Sequence, residues 1–207
     1  MRTRVTLQRS LRYLLAWTPT IAVARALPAQ RAVSDAVLER GTLSFLGHAT
    51  VGDFVGVTTS VTGAIIGGRD YSVTRGFAEA PVRTLATGND RRDRDLRETM
   101  DVTRYPTMRF DMSGATFATS PFARPDSTAI MLHGALTIHG VTRGVELAAI
   151  VRRSADTTHV SARFPLSLAD YQVSGLTKMF GLLRMQNEIE VRVDLEFVDR
   201  PTLWANP

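Results

Sequence analysis

Residues 189–197 alternate without a break: Ile189, Val191, Val193, Leu195 and Phe197 are apolar, while Glu190, Arg192, Asp194 and Glu196 are charged. A β-strand turns successive side chains to opposite faces, so this pattern specifies a strand with one face on a core and the other in water. Ile130, Leu132, Leu136 and Ile138 share one face of a second strand. After the connection through Gly140 and Gly144, Val145, Leu147, Ala149 and Val151 continue the same period. Residues 42–50, 57–66, 72–84, 107–115 and 159–168 are further strand candidates. Together they make about eight strands at short spacing, with Gly and Pro between them, the pattern of a sandwich or a barrel. A barrel is the expectation, because closure removes exposed sheet edges. The fold class predicted is all-β, an antiparallel barrel of about eight strands with one or two short helices. One helix is expected at 89–100, where Thr87-Gly88-Asn89-Asp90 supplies a turn and a cap.

Charge excludes one class of partner. Lys and Arg total 25 against 20 Asp and Glu, a net of +5. Residues 1–26 hold five arginines (Arg2, Arg4, Arg9, Arg12 and Arg25) and no acid, so the rest of the chain balances at 20 against 20. A chain without excess positive charge has little with which to hold phosphates, and no nucleic-acid partner is expected. The arginine-rich start, the apolar stretch from Leu14 to Ala24 and the small-x-small sites that follow predict a signal peptide over 1–29. The expected location is therefore periplasmic or secreted. No apolar run reaches the ~20 residues a spanning helix needs, so no membrane span is expected in the mature chain.

Catalytic and metal motifs are sparse. The chain has no cysteine and one lysine, Lys178. Its four histidines (His48, His133, His139 and His159) lack metal-ligand spacing. His133 and His139 would sit ~20 Å apart on one strand, too far to share an ion, and His139 before Gly140 reads as a turn residue. The acidic run Asn89–Asp95 lacks the glycine and terminal glutamate of a calcium loop, and its three arginines repel a dication. Gln172 stands where a G-x-S-x-G elbow needs its first glycine. No G-x-G-x-x-G or Walker A loop occurs. No cofactor, metal or catalytic residue is expected, and the chain is not read as an enzyme. The strongest binding signal is apolar: Leu176, Met179, Phe180, Leu182, Leu183 and Met185 crowd around Gly181. Such a segment either plugs one end of a barrel or gates a cavity inside it.

Four blocks carry a resemblance. The first runs from Leu43-Ser44-Phe45 through His48 and Asp53-Phe54-Val55-Gly56 to Val61-Thr62-Gly63. The second is Thr87-Gly88-Asn89-Asp90-Arg91-Arg92-Asp93-Arg94-Asp95-Leu96, followed by Tyr105-Pro106-Thr107-Met108-Arg109-Phe110. The third spans Gly134-Ala135-Leu136-Thr137-Ile138-His139-Gly140-Val141-Thr142-Arg143, and the last is Asp170-Tyr171-Gln172-Val173 before Leu176-Thr177-Lys178-Met179. Together they resemble the YceI-like family of secreted lipid-binding barrels over residues 37–198, with a flexible tail expected over 199–207. The resemblance implies a lipocalin-like barrel with an elongated apolar pocket for a polyisoprenoid or another long-chain, fatty-acid-like amphiphile. On it, Arg92, Asp93 and Asp95 are expected to pin the helix to the barrel rim. The expected ligand-binding residues are Phe45, Phe54, Phe77, Phe110, Leu136, Ile138, Phe164 and Tyr171, with Leu176, Met179, Phe180, Leu183 and Met185 from the apolar segment. Gln172 departs from the family, which usually has glycine there. A homodimer stays open. Two other classes remain as rivals: an enzyme acting on a bound isoprenoid, using His48 or His133, and an interaction protein with a filled core.

Overall fold

The computed structural model describes residues 35–50, 52–67, 71–118, 126–173, 177–178 and 183–200. The leader expected over 1–29, the chain from 201 on, and Leu176, Met179 and Phe180 lie outside them. The described elements are β1 (Ala36–Gly47), β2 (Phe54–Thr58), β3 (Thr62–Ile66), β4 (Arg75–Pro81), α1 (Asp90–Thr99), β5 (Thr107–Phe117), β6 (Ser127–Ile138), β7 (Val141–Ser154), β8 (Thr157–Ser167), β9 (Thr177–Lys178), β10 (Leu183–Arg184) and β11 (Glu188–Asp199). Eight strands in the order β11, β8, β7, β6, β5, β4, β3, β1 form one antiparallel sheet, which closes because β1 also pairs with β11. The fold is the expected barrel.

The period of two assigns the faces. Ile189, Val191, Leu195 and Phe197 of β11 are buried. On its outer face, Arg163 pairs with Glu190, Arg192 Nε donates to Glu190 Oε1 at 2.9 Å, and Arg40 Nη2 donates to Glu196 Oε1 at 2.6 Å. Exposed pairs of this kind add little stability, but they keep the outer wall wetted. β11 runs past Phe197 to Asp199, whose carboxylate accepts from Arg153 Nη2 at 2.5 Å, so Asp199 belongs to the sheet and not to the tail.

Several expected strands have different limits: the one expected over 42–50 is β1, Ala36–Gly47, and two others differ more. Residues 57–66 hold the end of β2 and all of β3, not one strand. Thr58 Oγ1 accepts from the Ser60 backbone N–H at 3.1 Å, and this local bond turns the chain out of the ladder. Residues 72–84 shrink to β4, flanked by single 3₁₀ turns at Tyr71–Val73 and Val82–Thr84. β2 pairs with β1 and reaches Ala86 through Val57, whose N–H and C=O both bond to it at 2.9 Å. The expected helix is α1, capped by Asn89 Oδ1, which accepts from the N–H groups of Arg91 and Arg92 at 3.1 and 3.0 Å.

Two turns need left-handed backbone. His139 (φ 51°) and Gly140 (φ 74°) join β6 to β7, both with the positive φ of a type I′ hairpin. The Tyr105 ring also lies across Gly140, where a Cβ would come within 2.3 Å of it. Gln172 closes the short helical turn Leu168–Tyr171 with φ 55° and ψ 24°. A side chain in this conformation costs about 1–2 kcal/mol, and glycine avoids that cost while losing more chain entropy on folding. Gln172→Gly should therefore raise the unfolding free energy by about 1 kcal/mol, seen as a higher urea midpoint at unchanged slope. A lower midpoint would mean that the glutamine side chain makes a compensating interaction.

Candidate ligand cavity

The inward faces of the strands do not fill the barrel. They enclose a cavity of about 440 Å³, within the size range of small-molecule sites. Its walls are apolar, with Leu43 and Phe45 from β1, Ala78 and Ala80 from β4, Met108 and Phe110 from β5, and Leu136 and Ile138 from β6. Leu147 of β7, Ala162 and Phe164 of β8, and Val191 and Val193 of β11 complete the circuit. Among the described residues the charged side chains that border it belong to α1, at one end; Glu79 and Arg109 also touch the lining, but they share the outward face with Phe77. There α1 contributes Arg91, Arg92, Asp95, Leu96 and Thr99, with Asn89 before it and Met100 after it. Leu96 and Met100 are four residues apart and so share one helix face. The opposite end is packed, with Ile130, Ala149 and Val151 in one cluster and Ala36, Leu195 and Phe197 in another.

A polar chain ties α1 to this mouth. Asp93 is 7% exposed. Its Oδ1 accepts from the Thr87 hydroxyl at 2.5 Å and from the Thr87 N–H at 2.8 Å. Arg92 Nε donates to the same hydroxyl, and its Nη2 to the Thr87 carbonyl, each at 2.9 Å. The Arg92 guanidinium also lies 4.5 Å from the centroid of the Phe54 ring, which meets Phe45 edge-on at 5.9 Å. Phe45 in turn occupies the space over Gly56, where a Cβ would fall 2.2 Å from its ring. Burial opposes the charge on Asp93. The two bonds from Thr87 and the nearby Arg97 and Arg92 outweigh it and hold the carboxyl below its ordinary range. The expected anchoring of α1 thus runs through Arg92 and Asp93, both of which grip Thr87.

The expected ligand residues divide by face. Phe45, Phe54, Phe110, Leu136, Ile138, Phe164 and Met185 line the cavity. Phe77 faces outward instead. It alternates with Ala78 on β4, and the Arg109 guanidinium stacks 4.2 Å from its ring. Tyr171 is buried beside the mouth, packed with Leu168 and Val173 and not among the lining groups. Burial raises its phenol pKa, Arg143 opposes the rise and Asp170 adds to it. Leu183 falls in β10, which pairs with β9. Neither histidine of the enzyme rival lines the cavity. His48 Nδ1 shares a hydrogen bond with Asp53 Oδ1 at 2.8 Å, and His133 lies beside Thr116 and Glu146 on the outer face. Among the described residues no group of side chains is placed to hold a metal. Ala78, Ala80, Ala162, Leu96 and Met100 were not anticipated as lining residues. The four-residue spacing of the last two is the sequence signal that would have found them.

The YceI-like domain model matches residues 35–197. No curated protein matches the sequence closely enough to count as a relative. Among solved structures, Burkholderia cenocepacia BcnA is 15% identical with a TM-score of 0.62, over 75% of this chain and 95% of that one. A polyisoprenoid binding domain from Saccharophagus degradans, implicated in plant cell wall breakdown, is 14% identical with a TM-score of 0.63, over 81% and 99%. The Campylobacter jejuni YCEI protein is 18% identical with a TM-score of 0.54, over 70% and 85%. At these identities the likeness is one of fold.

Removing the Asp93 carboxylate leaves the Thr87 N–H and hydroxyl without their buried acceptor. Asp93→Ala should lower the unfolding free energy by about 3 kcal/mol. Because the native pKa is depressed, the contribution is complete above the unfolded-chain value of 3.8 and is lost as the pH falls through the lower native value. Urea unfolding of both proteins at about pH 7 and about pH 3 should therefore show the gap between them narrowing in acid. An equal gap at both would show that the charge on Asp93 is not what holds Thr87.

Proposed function

We propose that this chain, which belongs to the YceI-like family, is a binding protein that carries a long-chain amphiphile, polyisoprenoid or fatty-acid-like, inside its barrel. The observation that carries this reading is the apolar cavity of about 440 Å³, whose charged border is confined to the α1 end. An amphiphile matches that distribution. Its tail takes the apolar walls, and its polar end stays in the wet mouth beside α1. Each methylene moved out of water contributes about 0.8 kcal/mol, less the cost of ordering the chain. Burial alone gives affinity, so the function needs no catalytic group. The Saccharophagus degradans neighbour, a polyisoprenoid binding domain by its description, supports the ligand class. Export to the periplasm or beyond is part of the proposal and rests on the arginine-rich, acid-free residues 1–26.

Organic extraction of the purified protein followed by mass spectrometry tests the reading. A long-chain amphiphile should be recovered in near-stoichiometric amount. Protein that is free of lipid, and takes up none from mixed micelles, would sink it. Recovery of a lipid that the protein converts to a product would favour the enzyme rival. A filling substitution supplies an independent check. Ala162 lines the cavity wall, and Ala162→Phe places a ring in the space the tail needs. Lipid retention should fall at least about tenfold, a loss of about 1.4 kcal/mol, while the circular dichroism of the barrel is unchanged. Undiminished retention in a folded variant would put the ligand somewhere other than this cavity.

A further inference from the structure

The packed end of the barrel carries an apolar row on its outside. Ala36 and Leu38 of β1, Ile65 of β3 and Phe197 of β11 pack within the barrel, and Ala78 of β4 lines the cavity. Their neighbours in sequence therefore face out. The register sets those neighbours side by side, Val198 opposite Val37, Val37 opposite Ala64, and Ala64 opposite Phe77. These four are half-buried, while Ile66, on the outer face of β3 beyond Ala64, is 61% exposed. Arg40 and Glu196 border the row on β1 and β11, and Arg75 and Glu79 border it on β4. A contiguous apolar patch with a charged rim marks an interaction surface.

We propose that this surface is a docking site for the chain's own C-terminal segment, residues 201–207, with Leu203 and Trp204 seated on Ile66 and its apolar neighbours. The segment reads Pro201-Thr202-Leu203-Trp204-Ala205-Asn206-Pro207 and has no charged side chain. It leaves the barrel at the right corner. The Arg200 N–H donates to the Asp35 carbonyl at 2.9 Å, and Asp35 Oδ1 accepts from the Gly67 N–H at 2.7 Å. A single residue, Asp35, thus joins the end of β11 to the end of β3, where Ile66 lies. Pro201 has no N–H and cannot prolong the ladder. Four residues from Arg200 to Trp204 reach at most about 14 Å, nearly three strand spacings of about 4.8 Å. That is enough to lay the indole over β3. The mouth lies beyond reach, because the 12 residues of β11 set it roughly 36 Å away and seven residues extend about 25 Å. The segment that composition alone reads as a loose tail is on this inference a strap across β1 and β3.

Tryptophan fluorescence of the full chain provides the test. The two tryptophans are Trp17 and Trp204, so Trp17→Phe leaves Trp204 as the sole reporter. In that protein Trp204 should emit to the blue of free tryptophan. Acrylamide should quench it at no more than about half the free rate, because one face of the ring is covered. Adding Ile66→Asp, at an exposed position, puts a charge into the contact and should return quenching to the free rate. Adding Val55→Asp instead, at an apolar site on β2 that is 49% exposed and outside the row, should leave quenching as it was. Quenching at the free rate in the folded Trp17→Phe protein would overturn the proposal, whether or not the other variants fold. Shielding that survives Ile66→Asp in a folded protein would also overturn it, since the segment would then sit on another surface. Shielding that disappears on about hundredfold dilution would make a second copy the occupant and overturn docking within one chain.

Discussion

β1 lies against β11 from the Ala36–Asp199 pair to the Leu46–Glu190 pair, and that ladder turns a twisted sheet into a barrel. Its other edge is divided. Only Ala36 and Val37 pair with β3, while Leu43 to Gly47 pair with β2. The wall therefore parts along the second half of β1, and the chain from Val82 to α1 lies on that side, joined to β2 through Ala86. The mouth follows from this arrangement. β3 follows β1 only over its first two residues, and the rest of that edge is finished by β2. Closure also removes the free edges that an apolar, cysteine-free sheet would otherwise expose to neighbours.

The mouth depends on local polar geometry. Thr87 is the pivot: its hydroxyl accepts from Arg92 and donates to Asp93, and its own N–H and carbonyl are taken by the same two residues. A hydroxyl can play both parts at once. Arg92 then presents its guanidinium to Phe54, which meets Phe45 on the cavity wall. The position of the helix and the shape of the apolar wall are thus coupled through a single side chain.

Much of the barrel was legible because the chain writes its inward face in large apolar residues. Where it does so, as in β11, β6 and β7, the faces read directly from the period. The misreadings occur where that lettering fails. β4 reads Arg75-Gly76-Phe77-Ala78-Glu79-Ala80-Pro81, and its one large apolar group points out while small alanines point in. No pattern of size or polarity told which face was which; the pairing with β5 settles it. Residues 57–66 carry apolar groups at both ends, and β2 parts from β3 where the Thr58 hydroxyl bonds the Ser60 N–H and the Thr84 hydroxyl. α1 is mostly charged in sequence, yet Leu96 and Met100 line the cavity. The departure at Gln172, by contrast, was visible as a missing glycine, and the left-handed backbone there explains why glycine suits the position.

Under the proposed carrier function, the outward charges of β11 have a consequence for traffic. Arg163, Glu190, Arg192, Arg40 and Glu196 are paired along the strand and across to its neighbours, and none of them touches the cavity. Seen from the β11 side, a loaded barrel and an empty one present the same surface of matched ions. A donor or acceptor approaching from that direction receives no information about the contents, and a passing hydrophobic surface finds nothing to hold. Whatever distinguishes full from empty is displayed at the end that carries α1, so delivery and pick-up become questions of orientation: the barrel has to arrive end-on.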